Sequence, residues 1–167
     1  MRTLATLAAV SLVWVLGFAP VRAADNPALW KHHVKGDYAK VLQGVKAGLE
    51  EKQFQILGEE NLSRGLENNR QVFGEDKWNT IGFQNVTAVH FCSLTFNQQV
   101  FNMSMDWAIL CPFKVVVFNM KANPDNVTVM TTRPTWLLAR DNHKKAAEVA
   151  RNIENRITAA IKEGAAP

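Results

Sequence analysis

The chain has little of what most active-site motifs require. It has two cysteines and one tyrosine among its 167 residues. It contains no glycine-rich phosphate loop, no His-Glu-x-x-His segment and no nucleophile elbow. A Cys-x-x-Cys-His haem-attachment motif is also absent. These absences exclude the enzyme classes that the motifs mark, and they favour a non-catalytic protein.

Long apolar runs are equally scarce after the start of the chain. The one such run, from Leu4 to Phe18, follows Arg2 and precedes Val21-Arg22-Ala23, which suits signal-peptidase cleavage after Ala23. It is too short for a comfortable membrane span, and no later segment approaches the ~20 apolar residues that a span needs. We therefore expect a signal peptide over residues 1–23 and a periplasmic or secreted protein with no membrane span after cleavage.

The chain also lacks a strong excess of either charge sign. It has 19 basic and 15 acidic residues, a net charge of +4. Loss of Arg2 and Arg22 with the signal leaves 17 basic against 15 acidic residues over the 144 residues that remain. This balance provides no electrostatic footprint for nucleic acid, which we exclude as a partner.

The remaining length fits one domain with a core of its own. It contains no internal repeat, low-complexity tract or linker. We expect residues 24–35 and the tail over 164–167 to be loose, and a single domain over residues 36–163.

Apolar spacing predicts three helices. Asp37 is placed to cap the first, in which Gly44 and Gly48 share one side where another element can approach closely. The stretch from Leu94 to Trp107 predicts a short amphipathic helix, with Phe96, Val100 and Met103 four and three residues apart. The clearest helix comes last, in DNHKKAAEVARNIENRITAAIKEG.

Four segments are typical of strands: FQILGEENL, FQNVTAVHFCS, FKVVVFNM and VTVMTTR. FKVVVFNM has almost no alternation, which predicts a strand covered on both faces. ANPDN is the expected turn between the last two strands. The stretch over residues 63–80 is left without a firm assignment. Together, the predicted helices and strands indicate an α+β fold, a small and mainly antiparallel sheet with helices packed on one face.

The order and wording of these segments resemble one known family. A helix ending LEEKQFQIL, a strand ending in Cys92, a short helix, and AILCPFKVVVFNM before a closing hairpin are similar to the domain-of-unknown-function 302 family, over roughly residues 36–133. Members of that family are small α+β domains that form dimers in crystals and have no established reaction. The resemblance therefore implies the fold and a homodimer, and it implies no chemistry.

This chain departs from the family pattern around its cysteines. Members follow the strand-end cysteine with Asn-Pro, whereas here Ser93 and Leu94 follow Cys92. The second cysteine, Cys111, stands two places nearer the N-terminus than in the pattern. Only Cys92 and Pro112 match it position by position.

The two cysteines allow a disulfide. An exported protein meets an oxidising compartment, and a Cys92–Cys111 bond would close an 18-residue loop, worth about 3 kcal/mol. The bond requires Cα atoms within about 7 Å, which antiparallel strands or a connection that doubles back would allow and a parallel crossover would not. Two unpaired buried thiols, or a catalytic thiol with His90 as its base, are the other roles that the residues allow.

A metal or haem site is a further alternative. His90 and Cys92 share one face of a strand, and Met103, Met105 and Cys111 lie close in sequence. Thiolate, thioether and imidazole groups are the ligands that copper(I) or haem iron prefers. The spacing of these residues matches no known motif. We therefore expect the protein to bind no cofactor, and copper or haem is the alternative.

Tryptophans supply the last candidate surface. Trp78 and Trp107 lie in segments without clear periodicity, where they predict an apolar pocket or dimer surface between two loops. Together these features favour an exported, non-catalytic binding or accessory module, a homodimer that recognises a small ligand or a periplasmic protein. The alternative is a redox or metal protein centred on Cys92, His90 and Cys111.

Overall fold

A computed structural model describes residues 26–166, and the predicted signal peptide over 1–23 lies outside the described residues. The strands are β1 (Leu29–Lys35), β2 (Gln55–Asn61), β3 (Phe83–Cys92), β4 (Phe113–Met120) and β5 (Asn123–Thr132). The helices are α1 (Tyr38–Glu51), α2 (Leu62–Asn68), α3 (Arg70–Phe73), α4 (Leu94–Phe101), α5 (Pro134–Leu137) and α6 (Ala146–Gly164). A 3-10 helix (Met105–Leu110) joins α4 to β4.

The five strands form one sheet in the order β1-β5-β4-β3-β2, and every neighbouring pair is antiparallel. This confirms the predicted α+β class and its single domain. Among residues 26–166 no helix is both long enough and apolar enough to cross a membrane.

One face of the sheet, here called the inner face, forms the core. Side chains from the three central strands are fully buried there: Val89, Val115, Val117, Val127 and Val129. Helices α1 and α6 contribute the opposite layer, with Val45, Leu49, Ile153, Ile157 and Ile161 fully buried as well. The core is therefore a layer of β-branched side chains between one sheet face and two helices.

Helices α1 and α6 touch through their backbones. The Cβ that an alanine would add at Gly44 would collide with the carbonyl oxygen of Gly164, and one at Gly48 would collide with that of Ala160. The predicted close approach of another element at Gly44 and Gly48 is thus confirmed, and the element is the end of α6.

A buried carboxylate ties the chain after β5 to α6. Glu154 is 8% exposed and accepts hydrogen bonds from Arg133 Nε (2.8 Å), the backbone N–H of Thr135 (3.0 Å) and the Thr135 hydroxyl. Burial acts to raise the pKa of Glu154, but the hydrogen bonds from Thr135 and Arg133 together outweigh it and lower that pKa. The carboxylate is therefore held in its charged form by three donors.

Two terminal expectations are wrong. Residues 29–35, expected to be loose, form β1, because their backbone pairs with β5 along its length and Val34 is buried in the core. The last residues are not a loose tail either. Gly164 belongs to α6, and Ala165 after it is 1% exposed.

The β4–β5 hairpin also differs from expectation. Strand β4 alternates between buried and more exposed residues, so it is not covered equally on both faces. The turn lies at Lys121-Ala122, so Ala122 is the one residue of the expected ANPDN turn that belongs to it, and Asn123 to Asn126 already belong to β5. Buried Asn119 accounts for the tight connection, since its amide nitrogen donates to the carbonyl of Pro124 (2.8 Å).

The glycine contact makes a prediction about α1. Gly48→Ala improves helix propensity by about 1 kcal/mol, but its Cβ meets backbone atoms that have no rotamer to change. We expect a net loss of at least ~1 kcal/mol in the free energy of unfolding, measured by urea denaturation. Gly65→Ala in α2 is the control, because no atom lies within 4 Å of its added Cβ. Equal effects of the two substitutions would contradict the close contact.

The Glu154 cluster makes a prediction about pH. Because the folded pKa is below the unfolded value of about 4.3, the contribution of Glu154 is fully present above that pH and is lost as the pH falls through the folded pKa. Glu154→Gln should lower the free energy of unfolding by about 1 to 3 kcal/mol at pH 7, and the gap to wild type should narrow below pH ~4. Denaturant titrations across that pH range measure it.

The control for Glu154 is Glu163, an exposed carboxylate paired with Lys52. Glu163→Gln should cost less than about 1 kcal/mol. A gap between wild type and Glu154→Gln that stays constant with pH would contradict a charged role for Glu154.

Candidate functional site

A set of connected grooves lies where α4 and the 3-10 helix meet the start of α6. Two cavities of about 560 and 510 Å³ share Met103 and His143, and a third of about 300 Å³ also includes His143. We call this region the His143 groove. It is formed by Gln99–Trp107 on one side and by Thr135–Asn152 on the other.

The loop before α6 is held in place by Asp141. One carboxylate oxygen of Asp141 accepts a hydrogen bond from the indole N–H of Trp107, and the other accepts from the backbone N–H of His143 (2.7 Å). The His143 N–H, followed by the Trp107 indole, holds the pKa of Asp141 below its usual value. This carboxylate thus joins the two walls of the groove.

The ring of His143 has a defined tautomer when neutral. Its Nδ1 accepts a hydrogen bond from the backbone N–H of Lys145 (3.2 Å). The neutral ring therefore carries its hydrogen on Nε2 and can donate it to a ligand.

Basic and acidic side chains occur in equal numbers in the two larger cavities of the His143 groove. Its two larger cavities contain three basic and three acidic side chains, which are Arg140, Lys144, Lys145, Asp106, Asp141 and Glu148. Carboxamides add neutral donors and acceptors: Gln99, Asn102, Asn142 and Asn152. Such a lining suits a small polar or zwitterionic molecule better than a strongly charged one.

The two cysteines lie at the two ends of the segment that carries α4 and the 3-10 helix. Their sulfurs are bonded, with the Cα atoms 5.7 Å apart. Strands β3 and β4 are antiparallel and their connection doubles back, the arrangement that allows such a bond. The Asn97 side-chain N–H donates to both sulfurs, at 3.1 Å to Cys92 and 3.3 Å to Cys111.

The candidate metal ligands do not come together. His90 lies on the other side of β3 from the core, where its Nε2 is 3.7 Å from a carboxylate oxygen of Glu60. Met103 packs against the core and Met105 is exposed. Among residues 26–166 no group of three or more His, Cys, Asp or Glu residues is placed to hold a metal ion. The five residues proposed as one metal or ligand site therefore have different roles. Two form a disulfide, His90 lies near Glu60, Met103 packs against the core and Met105 is exposed.

The structure places Trp78 and Trp107, the residues of the expected apolar pocket or dimer surface, in different parts of the fold. Trp78 packs edge-on against Phe83 at the start of β3, with the Lys121 ammonium 5.7 Å from its ring centre. Trp107 lies in the 3-10 helix, which follows α4 beyond the opposite end of that strand. A ten-residue strand separates them, so the two rings line different surfaces.

A second candidate surface is the face of the sheet opposite the core, here called the outer face. Its central residues are apolar and only partly exposed: Val86, Val116, Phe118, Met120 and Met130. Helices α1 and α6 lie on the inner face. Helix α2 begins at the sheet edge where β2 ends, and Ser63 there accepts from the backbone N–H of Val86 (3.1 Å).

The residues that build the His143 groove were missed from the sequence, apart from Met103 and Trp107. Asp141 and His143 belong to the stretch RDNHKK, which carries no motif and looks like a solvated helix start. One signal was present, a carboxylate and a histidine two residues apart before the strongest helix. Only the fold brings that loop against Trp107, 34 positions earlier in the chain.

The structure defines a small α+β domain with its two long helices on one face of a five-stranded antiparallel sheet. A sequence profile of the family "Domain of unknown function DUF302" matches residues 30–164. The chain belongs to this family.

The structural comparison agrees. The chain is similar to the crystal structure of an uncharacterized conserved protein DUF302 from Bacillus stearothermophilus, with a TM-score of 0.68 and 17% sequence identity. The alignment covers 83% of this chain and 98% of that one. At this identity the likeness shows the fold alone. No curated protein matches the chain.

Proposed function

We propose that this protein is an exported, non-catalytic binding module that works as a homodimer and recognises a small polar molecule in the His143 groove. Export follows from the predicted signal peptide. The alternative to a small molecule is a periplasmic protein partner, in which case the protein would be an accessory module. The single observation that carries the proposal is the groove itself.

Three properties of the groove support binding rather than catalysis. The indole N–H of Trp107 donates a hydrogen bond to Asp141 across it, which ties its two walls together before any ligand arrives. Its donors and acceptors are mixed, and the formal charges of its two larger cavities cancel. Neither of its larger cavities contains a cysteine or a serine–histidine pair in hydrogen-bond contact, which a nucleophilic mechanism would need.

The groove can be tested through the indole resonances. After cleavage at Ala23 the chain would keep four tryptophans, and Trp107→Phe identifies the Trp107 N–H signal. Titration with a panel of amino acids, small sugars and hydroxy acids should include a compound that shifts this signal saturably and leaves the Trp78 signal unchanged. Glu148→Lys, which unbalances the groove charge, should change the affinity for that compound by about tenfold.

The control for the titration is Glu67→Lys, which makes the same charge change on α2 and should leave the affinity unchanged. A panel in which no compound moves the Trp107 signal, or in which every indole moves equally, would count against the groove as the binding site.

A redox protein centred on Cys92 and Cys111, with His90 on the same strand, is the second candidate. It is favoured by two observations: Cys111 is partly exposed, and the Asn97 amide N–H donates to both sulfurs. A hydrogen-bond donor at sulfur would stabilise a thiolate if the pair were reduced. Copper or haem would require the cysteines in reduced form and additional ligands.

The variant Cys92→Ser with Cys111→Ser separates the two candidates. Loss of the bond should lower the free energy of unfolding by about 3 kcal/mol. A binding module should keep its oligomeric state and its ligand in native mass spectra of protein purified from the periplasm without reductant. A redox or metal protein should lose a bound species.

The matched control for the cysteine variant is wild type treated with reductant, which should show the same stability loss. Wild-type protein with extra mass that matches copper or haem would overturn the first candidate in favour of the second.

A further inference from the structure

The outer face of the sheet is unusual for a surface in water. An antiparallel sheet with one covered face normally shows polar residues on the other. Here the middle of the outer face is apolar, with Val86 on β3, Val116 and Phe118 on β4, and Met130 on β5. A contiguous apolar area of this kind marks an interaction surface.

The pairing of the strands arranges this face in rows. One row crosses the whole sheet through five positions joined by four direct pairings: Glu60 on β2, Ala88 on β3, Val116 on β4, Met130 on β5 and Lys31 on β1. The row therefore has an acid at one sheet edge, a base at the other and apolar residues between them. The same register places Lys35 on the β1 edge, opposite Asn126.

This charge arrangement is complementary to itself. If a second copy faces the sheet across a two-fold axis parallel to the strands and centred on β4, the β1 edge of each copy lies over the β2 edge of the other. Lys31 then faces Glu60 of the other copy. An axis perpendicular to the strands would instead place Lys31 and Lys35 of both copies together.

We propose that the outer face is the homodimer interface and that its two-fold axis runs parallel to the strands. The inference deepens the proposed dimeric function by naming the surface and its orientation. Val86, Val116, Phe118 and Met130 would form the centre of the interface, where apolar anchors contribute most of the binding free energy. The Lys31–Glu60 pairs would form its two rims and set the register.

The centre is tested with Val116→Asp. Wild type should sediment as a dimer over a concentration series, and Val116→Asp should weaken dimerisation about 100-fold or more, because two carboxylates would be buried on the axis. Ile109→Asp is the matched control, since Ile109 is 82% exposed on the 3-10 helix and should leave the dimer intact. Circular dichroism establishes that each variant is folded.

The orientation of the two-fold axis is tested with a charge exchange at the two sheet edges, which leaves the residues at the centre of the interface unchanged. Glu60→Lys and Lys31→Glu should each weaken the dimer about tenfold, and the variant carrying both should recover wild-type affinity. These exposed positions also provide the test if Val116→Asp does not fold. Failure of the double variant to recover affinity would overturn the parallel axis.

The other outcomes separate this inference from the function on which it rests. A wild type that is dimeric and unaffected by both Val116→Asp and the charge exchange would overturn the outer face as the interface and leave the dimer standing. A wild type that stays monomeric at every concentration would overturn the dimer together with its interface, while ligand binding in the His143 groove would remain to be judged by the indole titration.

Discussion

The backbones of α1 and α6 meet at Gly44, Gly48 and Gly164, and the placement of the other surfaces depends on that contact. With no side chain between them, both helices lie flat on the inner face and bury their apolar stripes in one layer. The start of α6 is thereby brought beside α4, where the His143 groove forms. One larger residue at this contact would separate the helices and move the groove wall with them.

Placing both long helices on one side has a consequence for the other side. The three central strands contribute branched residues to the inner face, where they are fully buried, and they also carry apolar residues on the outer face. In a protein with helices on both faces this would be ordinary. In this chain the second layer is missing from the described residues, so the strands contain more apolar surface than the single chain covers.

The elements with strong periodicity could be predicted from the sequence. Helices α1 and α6 and strand β3 follow their apolar patterns because those patterns reflect one buried face each. Strand β1 could not be recognised, since LWKHHVK offers the core only Trp30, His32 and Val34 and reads as polar. Strand β4 looked covered on both faces because Val116 and Phe118 are apolar yet face outward. The His143 groove depends on a contact between distant segments, which no local pattern encodes.

The two edge strands of the sheet determine whether further strands can add to it at high protein concentration. Strand β2 ends the sheet with a bulge between Ile56 and Gly58 and with the charged pair Glu59 and Glu60, and β1 ends it with lysines. Bulges and charges at an edge discourage the addition of further strands. Polymerisation by strand addition is thus disfavoured at both sheet edges, although the chain is rich in β-branched residues.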